Sequence, residues 1–313
     1  MESQSGEKQH GYNPPGGNPQ IIAIANQKGG VAKTTSVASL GGALASRGIE
    51  TLLIDLDAQA NLTLALGFEP ARLRGAVSQF FFNSASLWGL SRPTATPFLD
   101  LVPSNTDMEM AEHFLPLRKN YETMLRRALG RQPDAKDDVR HNSASACPYD
   151  FIILDCPPVL GAVTTNALIA ADLLIIPTQP EYFSAHALRT MLGYVRQVRS
   201  QFNPQLSYRI LITMHDQRNR IHRQISQQIR QAFGAGVFET TIGIDTRLRE
   251  SALQGVPITA DQVSAQQRNS RSAQQYRALA NELVASSDPN ESLSDPIRER
   301  ERSPMGVRQN VKS

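Results

Sequence analysis

Two lysines flank a glycine pair in KGGVAKTT, residues 28–35, with Lys28 on one side, Lys33 on the other, and Thr34 and Thr35 directly behind. Ammonium groups, glycines and hydroxyls in so short a space suit one class of ligand, a chain of phosphates. The lysines supply charge, and the glycines let backbone N–H groups approach the ligand. A threonine hydroxyl is a hard oxygen donor for the divalent cation that accompanies such ligands. Three aspartates would complete that chemistry: Asp55 and Asp57 in DLDAQAN, and Asp155 in DCPP. A plain surface turn with solvated lysines is the simpler reading, and the elements around the loop decide between the two.

Ile21 to Ala25 is a short β-branched, apolar run, the pattern of a strand buried on both faces. From Thr34 the pattern turns helical, with Val37, Leu40, Ala43 and Leu44 on one face until Arg47-Gly48 closes it. A glycine loop between a buried strand and a helix N-terminus leaves N–H groups unsatisfied and adds the positive end of the helix dipole. Thr51 to Asp57 reads as a second buried strand. Alternation along it predicts that Asp55 and Asp57 point to one side, at the carboxyl edge where open α/β sheets hold ligands. Asp150 to Leu154 leads into Asp155, and Asp172 to Pro177 and Tyr208 to Met214 read as further strands. Strands alternating with helical patterns predict an α/β fold: a doubly wound, mostly parallel sheet flanked by helices.

KGGVAKTT resembles the deviant Walker A loop, K-G-G-x-x-K-[ST], of the ParA/MinD family of ATPases. DLDAQAN resembles the family's DLDPQGN, with Ala58 and Ala60 in place of proline and glycine, and Ala32 stands where most relatives have glycine. DCPP, TQPEYFSAHAL and HDQRNR follow in the family's order, so the resemblance runs from about Gln20 to Leu283 and points to the Soj-like ParA branch. It implies a P-loop NTPase with ATP and Mg²⁺ and an ATP-dependent homodimer. By the resemblance, Gly29, Gly30, Val31, Ala32, Lys33, Thr34 and Thr35 surround the phosphates. Lys33 lies along the β- and γ-phosphates, while Lys28 reaches the nucleotide of the partner subunit. Thr34 and Asp155 hold Mg²⁺, Asp55 assists around its shell, and Asp57 orients the attacking water. The late segment FETTIGIDTRLRES occupies the place where relatives contact adenine, which puts Gly243 and Asp245 at the base. An N-cap for residues 246–253 is the structural alternative for Asp245.

Arginines gather late in the chain, at Arg218, Arg220, Arg223 and Arg230, then Arg247, Arg249, Arg268 and Arg271, against a net charge of only +3. Such a run is either a solvated face or a set of planar donors for phosphate oxygens. The resemblance implies the second: non-specific DNA contacts from the dimer, with Arg218, Arg223 and Arg247 as candidates. It further implies a ParB-like or other adaptor that stimulates hydrolysis, a cytoplasmic, nucleoid-associated protein, and a plasmid, chromosomal locus or protein body as cargo. The alternative is a MinD-like spatial regulator acting at a membrane surface. DPIRERERSPMGVRQNVKS alternates arginine with glutamate and has few apolar anchors, so no stable membrane anchor is expected.

The 313 residues contain two cysteines, Cys147 and Cys156, too few for a disulfide scaffold. There is no apolar run of the roughly 20 residues that a membrane span needs, and no signal-peptide pattern. Residues 1–19 and 286–313 are polar and read as disordered tails around one ATPase domain, 20–285. A polar insertion at 130–148 interrupts that domain.

Overall fold

The computed structural model describes residues 17–131, 147–182 and 184–286. Most of the 130–148 insertion, and both expected tails apart from residues 17–19 and Ser286, lie outside the described residues. Ser286 closes the last helix. The strands are β1 (Gln20–Ile24), β2 (Thr51–Asp55), β3 (Arg92–Pro93), β4 (Leu99–Val102), β5 (Phe151–Asp155), β6 (Leu173–Thr178), β7 (Ser207–His215) and β8 (Val237–Gly243). The α-helices are α1 (Lys33–Ala45), α2 (Asn61–Ala65), α3 (Val77–Asn83), α4 (Ala111–Phe114), α5 (Met124–Ala128), α6 (Ala162–Ala170), α7 (Ser184–Gln201), α8 (Arg220–Phe233), α9 (Arg247–Leu253), α10 (Ala265–Arg268) and α11 (Arg271–Ser286).

The eight strands form one sheet in the order β3-β4-β2-β5-β1-β6-β7-β8. Every pairing is parallel except that of the two-residue edge strand β3, which runs antiparallel to β4. The expected doubly wound, mostly parallel sheet is therefore what the chain builds. Strand β1 sits at its centre, between β5 and β6. A strand in that position has no solvent face, which is why β1, β2 and β5 read as unbroken apolar runs ending in β-branched residues or aspartate. Hydrophobic residues cover both faces as two separate clusters. One includes Ile21, Ile54, Phe81 and Leu188; the other includes Ile22, Leu40, Leu53 and Tyr276.

Helix α1 matters most for the site, because its N-terminus carries the lysine-rich loop. It is held in place by unusually close approach. A Cβ on Gly42 would lie 2.5 Å from Pro257 Cβ and 2.6 Å from Thr259 Oγ1, and one on Gly41 would lie 2.7 Å from Leu53 Cδ2. The Thr259 hydroxyl donates to the Ser39 carbonyl, so the segment behind α9 is stitched to the glycine-lined side of α1. On another side the buried hydroxyls of Ser36 and Tyr276 meet at 3.0 Å, joining α1 to α11. The small residues at 41 and 42 thus have a packing duty, unrelated to the glycines of the loop.

This geometry separates two glycines that look alike in the sequence. Gly42→Ala forces a methyl into Pro257 and should destabilise the protein by about 1–3 kcal/mol, the usual cost of overpacking. Gly193→Ala, on α7 with nothing within 4 Å of the added Cβ, should stabilise by about 0.5–1 kcal/mol. Urea unfolding of the two variants beside the parent measures both, and a shift in the same direction for both would refute the packing argument.

Candidate phosphate-binding site

Between Ile24 and Lys33 the chain must leave the centre of the sheet and enter a helix. It does so through two left-handed residues, Gly30 (φ 71°) and Ala32 (φ 63°). Left-handed residues close together turn successive N–H groups into one concavity, which attracts anions. No side chain caps the start of α1, so its first N–H groups remain available to a ligand. The loop is pinned from three directions. Asn26 Nδ2 donates to the Pro177 carbonyl at 2.7 Å, the Lys28 N–H donates to Asn26 Oδ1 at 3.0 Å, and the Thr213 hydroxyl donates to the Val31 carbonyl at 3.0 Å. Strands β6 and β7 therefore hold the loop in shape.

Lys33 is 9 % exposed, and its ammonium lies 3.4 Å from the Lys28 carbonyl. Burial lowers its pKa, and the nearby carboxylates of Asp155 and Asp57 oppose that shift. Asp155, at the end of β5, is 1 % exposed, and both of its carboxylate oxygens are buried without a hydrogen bond of ordinary geometry. Burial and repulsion from Asp55 push its carboxyl well above the usual range. The Thr34 side chain, followed by Lys33, pulls the other way. A buried carboxylate with two unsatisfied oxygens beside a threonine is a poor end point by itself, and hard oxygen donors of this kind suit Mg²⁺. Among the described residues no group of three or more His, Cys, Asp or Glu is placed to enclose a metal. Mg²⁺ usually takes one or two carboxylates and completes its shell with water and phosphate oxygens.

One expectation about the acidic segment needs correction. Strand β2 stops at Asp55, so strand alternation does not carry Asp57 to the same side. A turn places it instead, with Asp57 Oδ1 accepting from the Gln59 N–H at 3.0 Å. Asp55 is fully buried, and its oxygens accept from the Asp57 N–H, the Thr63 N–H and the Thr63 hydroxyl. Those bonds tie α2 to the end of β2. Desolvation nevertheless raises its carboxyl above the usual range. Asp55 also lies close enough to Asp155 to help raise that residue's carboxyl. Ala60, at the start of α2, is a second left-handed alanine, with φ 50°.

The expected base contacts are placed differently from one another. Gly243 ends β8, and its N–H donates to Gln275 Oε1. Asp245 has both oxygens engaged. Oδ1 accepts from the Arg247 N–H at 3.0 Å, and Oδ2 accepts from the Ser272 hydroxyl at 2.8 Å. It links the start of α9 to the start of α11, although the N-cap position of α9 is Thr246 and not Asp245. Beside the start of α1 a cavity of about 350 Å³ is lined by Thr34, Thr35, Asn61, Leu248, Ser251 and Pro257, among others.

The arginines divide into two groups. Arg230 donates to the carbonyls of Phe238 and Glu239 and to the Thr241 hydroxyl, so it fastens α8 to β8. Arg268 pairs with Asp261. Arg218, Arg220, Arg223, Arg247 and Arg249 are exposed, although Arg223 Nη1 donates to the carbonyls of Gln217 and Arg218. Arg218 follows β7 and Arg247 follows β8. Those strands are neighbours in register through His215 and Gly243, so both arginines leave the same carboxyl edge that carries the loop. Lys28, on that edge too, forms an ion pair with Glu181 of its own chain, a residue not singled out by its sequence context.

The family model described as AAA domain matches residues 19–208. The chain is 36 % identical over 271 residues to the chromosome partitioning protein ParA of Myxococcus xanthus, an alignment covering 86 % of this chain and 89 % of that protein. It is 36 % identical over 267 residues to the sporulation initiation inhibitor protein Soj of Bacillus subtilis, covering 85 % of this chain and 98 % of Soj. Among solved structures, cobyrinic acid a,c-diamide synthase from Mycobacterium smegmatis with bound ATP analog and magnesium is similar at a TM-score of 0.68 and 29 % identity. That match covers 88 % of this chain and 98 % of the synthase.

The two left-handed alanines generate a prediction. A left-handed L-residue costs roughly 1–2 kcal/mol relative to its ordinary conformation, whereas glycine adopts it freely at some cost in unfolded-chain entropy. Ala32→Gly and Ala60→Gly should each stabilise the folded protein by about 0.5–1 kcal/mol, and roughly additively, since they lie in separate loops. Urea unfolding of both single variants and the double variant checks this, and a loss of stability in either single variant would show that the strain is relieved elsewhere.

Proposed function

The chain belongs to the ParA family of partition ATPases, and from that premise we propose that it binds and hydrolyses ATP in an ATP-dependent dimer that rides on DNA. What supports the reading most is the pairing of an uncapped helix start, open through left-handed Gly30 and Ala32, with Lys33 and the unsatisfied oxygens of Asp155. Residues 29–35 supply N–H groups, and Lys33 an ammonium, to the β- and γ-phosphates. Thr34 and Asp155 would hold Mg²⁺. When bound there, the cation supplies charge neutralisation at the phosphate oxygens. Asp57, beyond the end of β2, orients the water that attacks the γ-phosphorus. Asp55 keeps α2 and the Asp57 turn in place through Thr63. Lys28 reaches the partner subunit's nucleotide, adding a second ammonium where charge accumulates in phosphoryl transfer. Gly243 lies at the base end. Asp245 shapes that region by clamping two helix starts.

DNA engagement falls to the exposed arginines, Arg218 and Arg247 first, with Arg223 behind them. Planar guanidinium groups on one sheet edge suit backbone phosphates, which carry no sequence information. A ParB-like or other adaptor stimulates hydrolysis and release, and cycles of binding on the nucleoid segregate or position a plasmid, a chromosomal locus or a protein body. Among the described residues no helix is long and apolar enough to cross a membrane.

Two measurements test the chemistry. Lys33→Ala should abolish nucleotide binding in calorimetry, whereas Asp57→Ala should bind ATP and turn it over at least a hundredfold more slowly, in keeping with the loss of a group acting in the transition state. Wild-type turnover by the Asp57 variant would remove its proposed role.

The DNA reading makes a separate quantitative statement. Affinity for any duplex should require ATP and fall with salt at a log–log slope of roughly −0.9 per phosphate contact. Arg218→Ala or Arg247→Ala should flatten that slope by about two units in a dimer, equally for unrelated sequences. Equal binding by the nucleotide-free protein, or unchanged slopes in both variants, would make these arginines a solvated face.

A further inference from the structure

The two lysines of the loop lean to opposite flanks of β1. Asp155 on β5, and Asp57 beyond β2, lie on one flank, and both act on Lys33. On the other flank is β6, whose following turn carries Glu181, and Lys28 is paired with it. Both partners are anchored before they meet. The Lys28 N–H is held by Asn26 Oδ1, and Asn26 in turn holds the Pro177 carbonyl at the end of β6. Glu181 sits in a closed turn. Its N–H donates to the Gln179 carbonyl at 2.9 Å and to the Ser184 hydroxyl at 3.1 Å, and its carbonyl accepts from the Ser184 N–H at 3.0 Å. The start of α7, the turn and the loop thus bring the ammonium and carboxylate together, with side chains 30 % and 41 % exposed.

We propose that Glu181 is a positioning residue for Lys28, holding its ammonium on its own subunit until the phosphates of a partner's nucleotide compete for it. The inference rests on the reading that Lys28 acts across a dimer interface. A lysine with one carboxylate in its own chain and a polyphosphate across the interface has two exclusive partners, so the carboxylate raises the ATP concentration at which dimers form. The pair is partly solvated, and exposed pairs are weak. A modest competitor is what a reversible switch requires, because a strong one would keep Lys28 from the interface.

The test measures dimerisation by sedimentation velocity against a non-hydrolysable ATP analogue, alongside ADP binding and thermal unfolding. Glu181→Gln keeps the side chain's shape and removes its charge. It should shift the dimerisation midpoint about two- to fivefold towards lower analogue concentration, the range that an exposed ion pair corresponds to. ADP affinity and melting temperature should stay at the parent values, and Glu181→Asp should lie between the two. In a Lys28→Ala background Glu181→Gln should have no effect, since the group it restrains is gone. If Lys28→Ala impairs dimerisation while Glu181→Gln leaves the midpoint unchanged or raises it, the restraint is refuted and the reading of Lys28 stands. If Lys28→Ala dimerises like the parent, the reading of Lys28 itself fails, and the role of Glu181 with it.

Discussion

A single buried ammonium organises the carboxyl edge of this sheet. Lys33 is almost wholly removed from water, and burial alone would favour its neutral form. Two carboxylates oppose that shift, and one of them, Asp155, is itself buried without ordinary hydrogen bonds. Neither group is comfortable alone, and the pair leaves two carboxylate oxygens and a set of helix N–H groups unsatisfied. A polyphosphate with its cation answers both deficits at once, anionic oxygens for the N–H groups and the ammonium, a metal for the carboxylate. The sheet around the two groups holds them in place, since the loop and Asp155 are fixed by β1, β5 and β6.

Much of this was legible in the sequence, for reasons that can be named. The central strands have no solvent face, so their apolar runs stood out, and each bounded a loop that carried the motif residues. The lysine spacing, the two threonines and Asp155 at the end of β5 needed nothing beyond local pattern. What escaped depends on distant partners. Strand alternation is not what places Asp57, because β2 ends at Asp55 and a turn follows. The eight late arginines look like one feature, yet Arg230 belongs to β8, whose carbonyls it holds, and only the contact reveals it. Glu181, inside TQPEYFSAHAL, carries no signature of its own. The available signal was an acidic residue in the turn after β6, a strand adjacent to that of the loop.

Alanine at positions 32 and 60 connects the two halves of the site. Each is left-handed, the backbone conformation that favours glycine. The glycine loop before α1 and the turn carrying Asp57 thus share the same backbone hand. The methyl groups narrow the conformations open to both segments, so this chain holds its acidic turn and its anion loop more rigidly than a glycine version would. Asp245 likewise serves the framework, joining the starts of two helices.

The central position of β1 has a consequence for synthesis. Its neighbours in the sheet are β5 and β6, so Gln20 pairs with Phe151 and Ile22 with Leu173. A chain growing from its N-terminus makes the anion loop first and the strands that shape it much later. Until Thr178 has left the ribosome, Pro177 and Asp155 are not both at hand to fix the loop and face Lys33. Such long sequence separations slow folding and leave apolar strands waiting. A nascent chain of this protein is therefore one in which the most recognisable motif is also among the last to become a site.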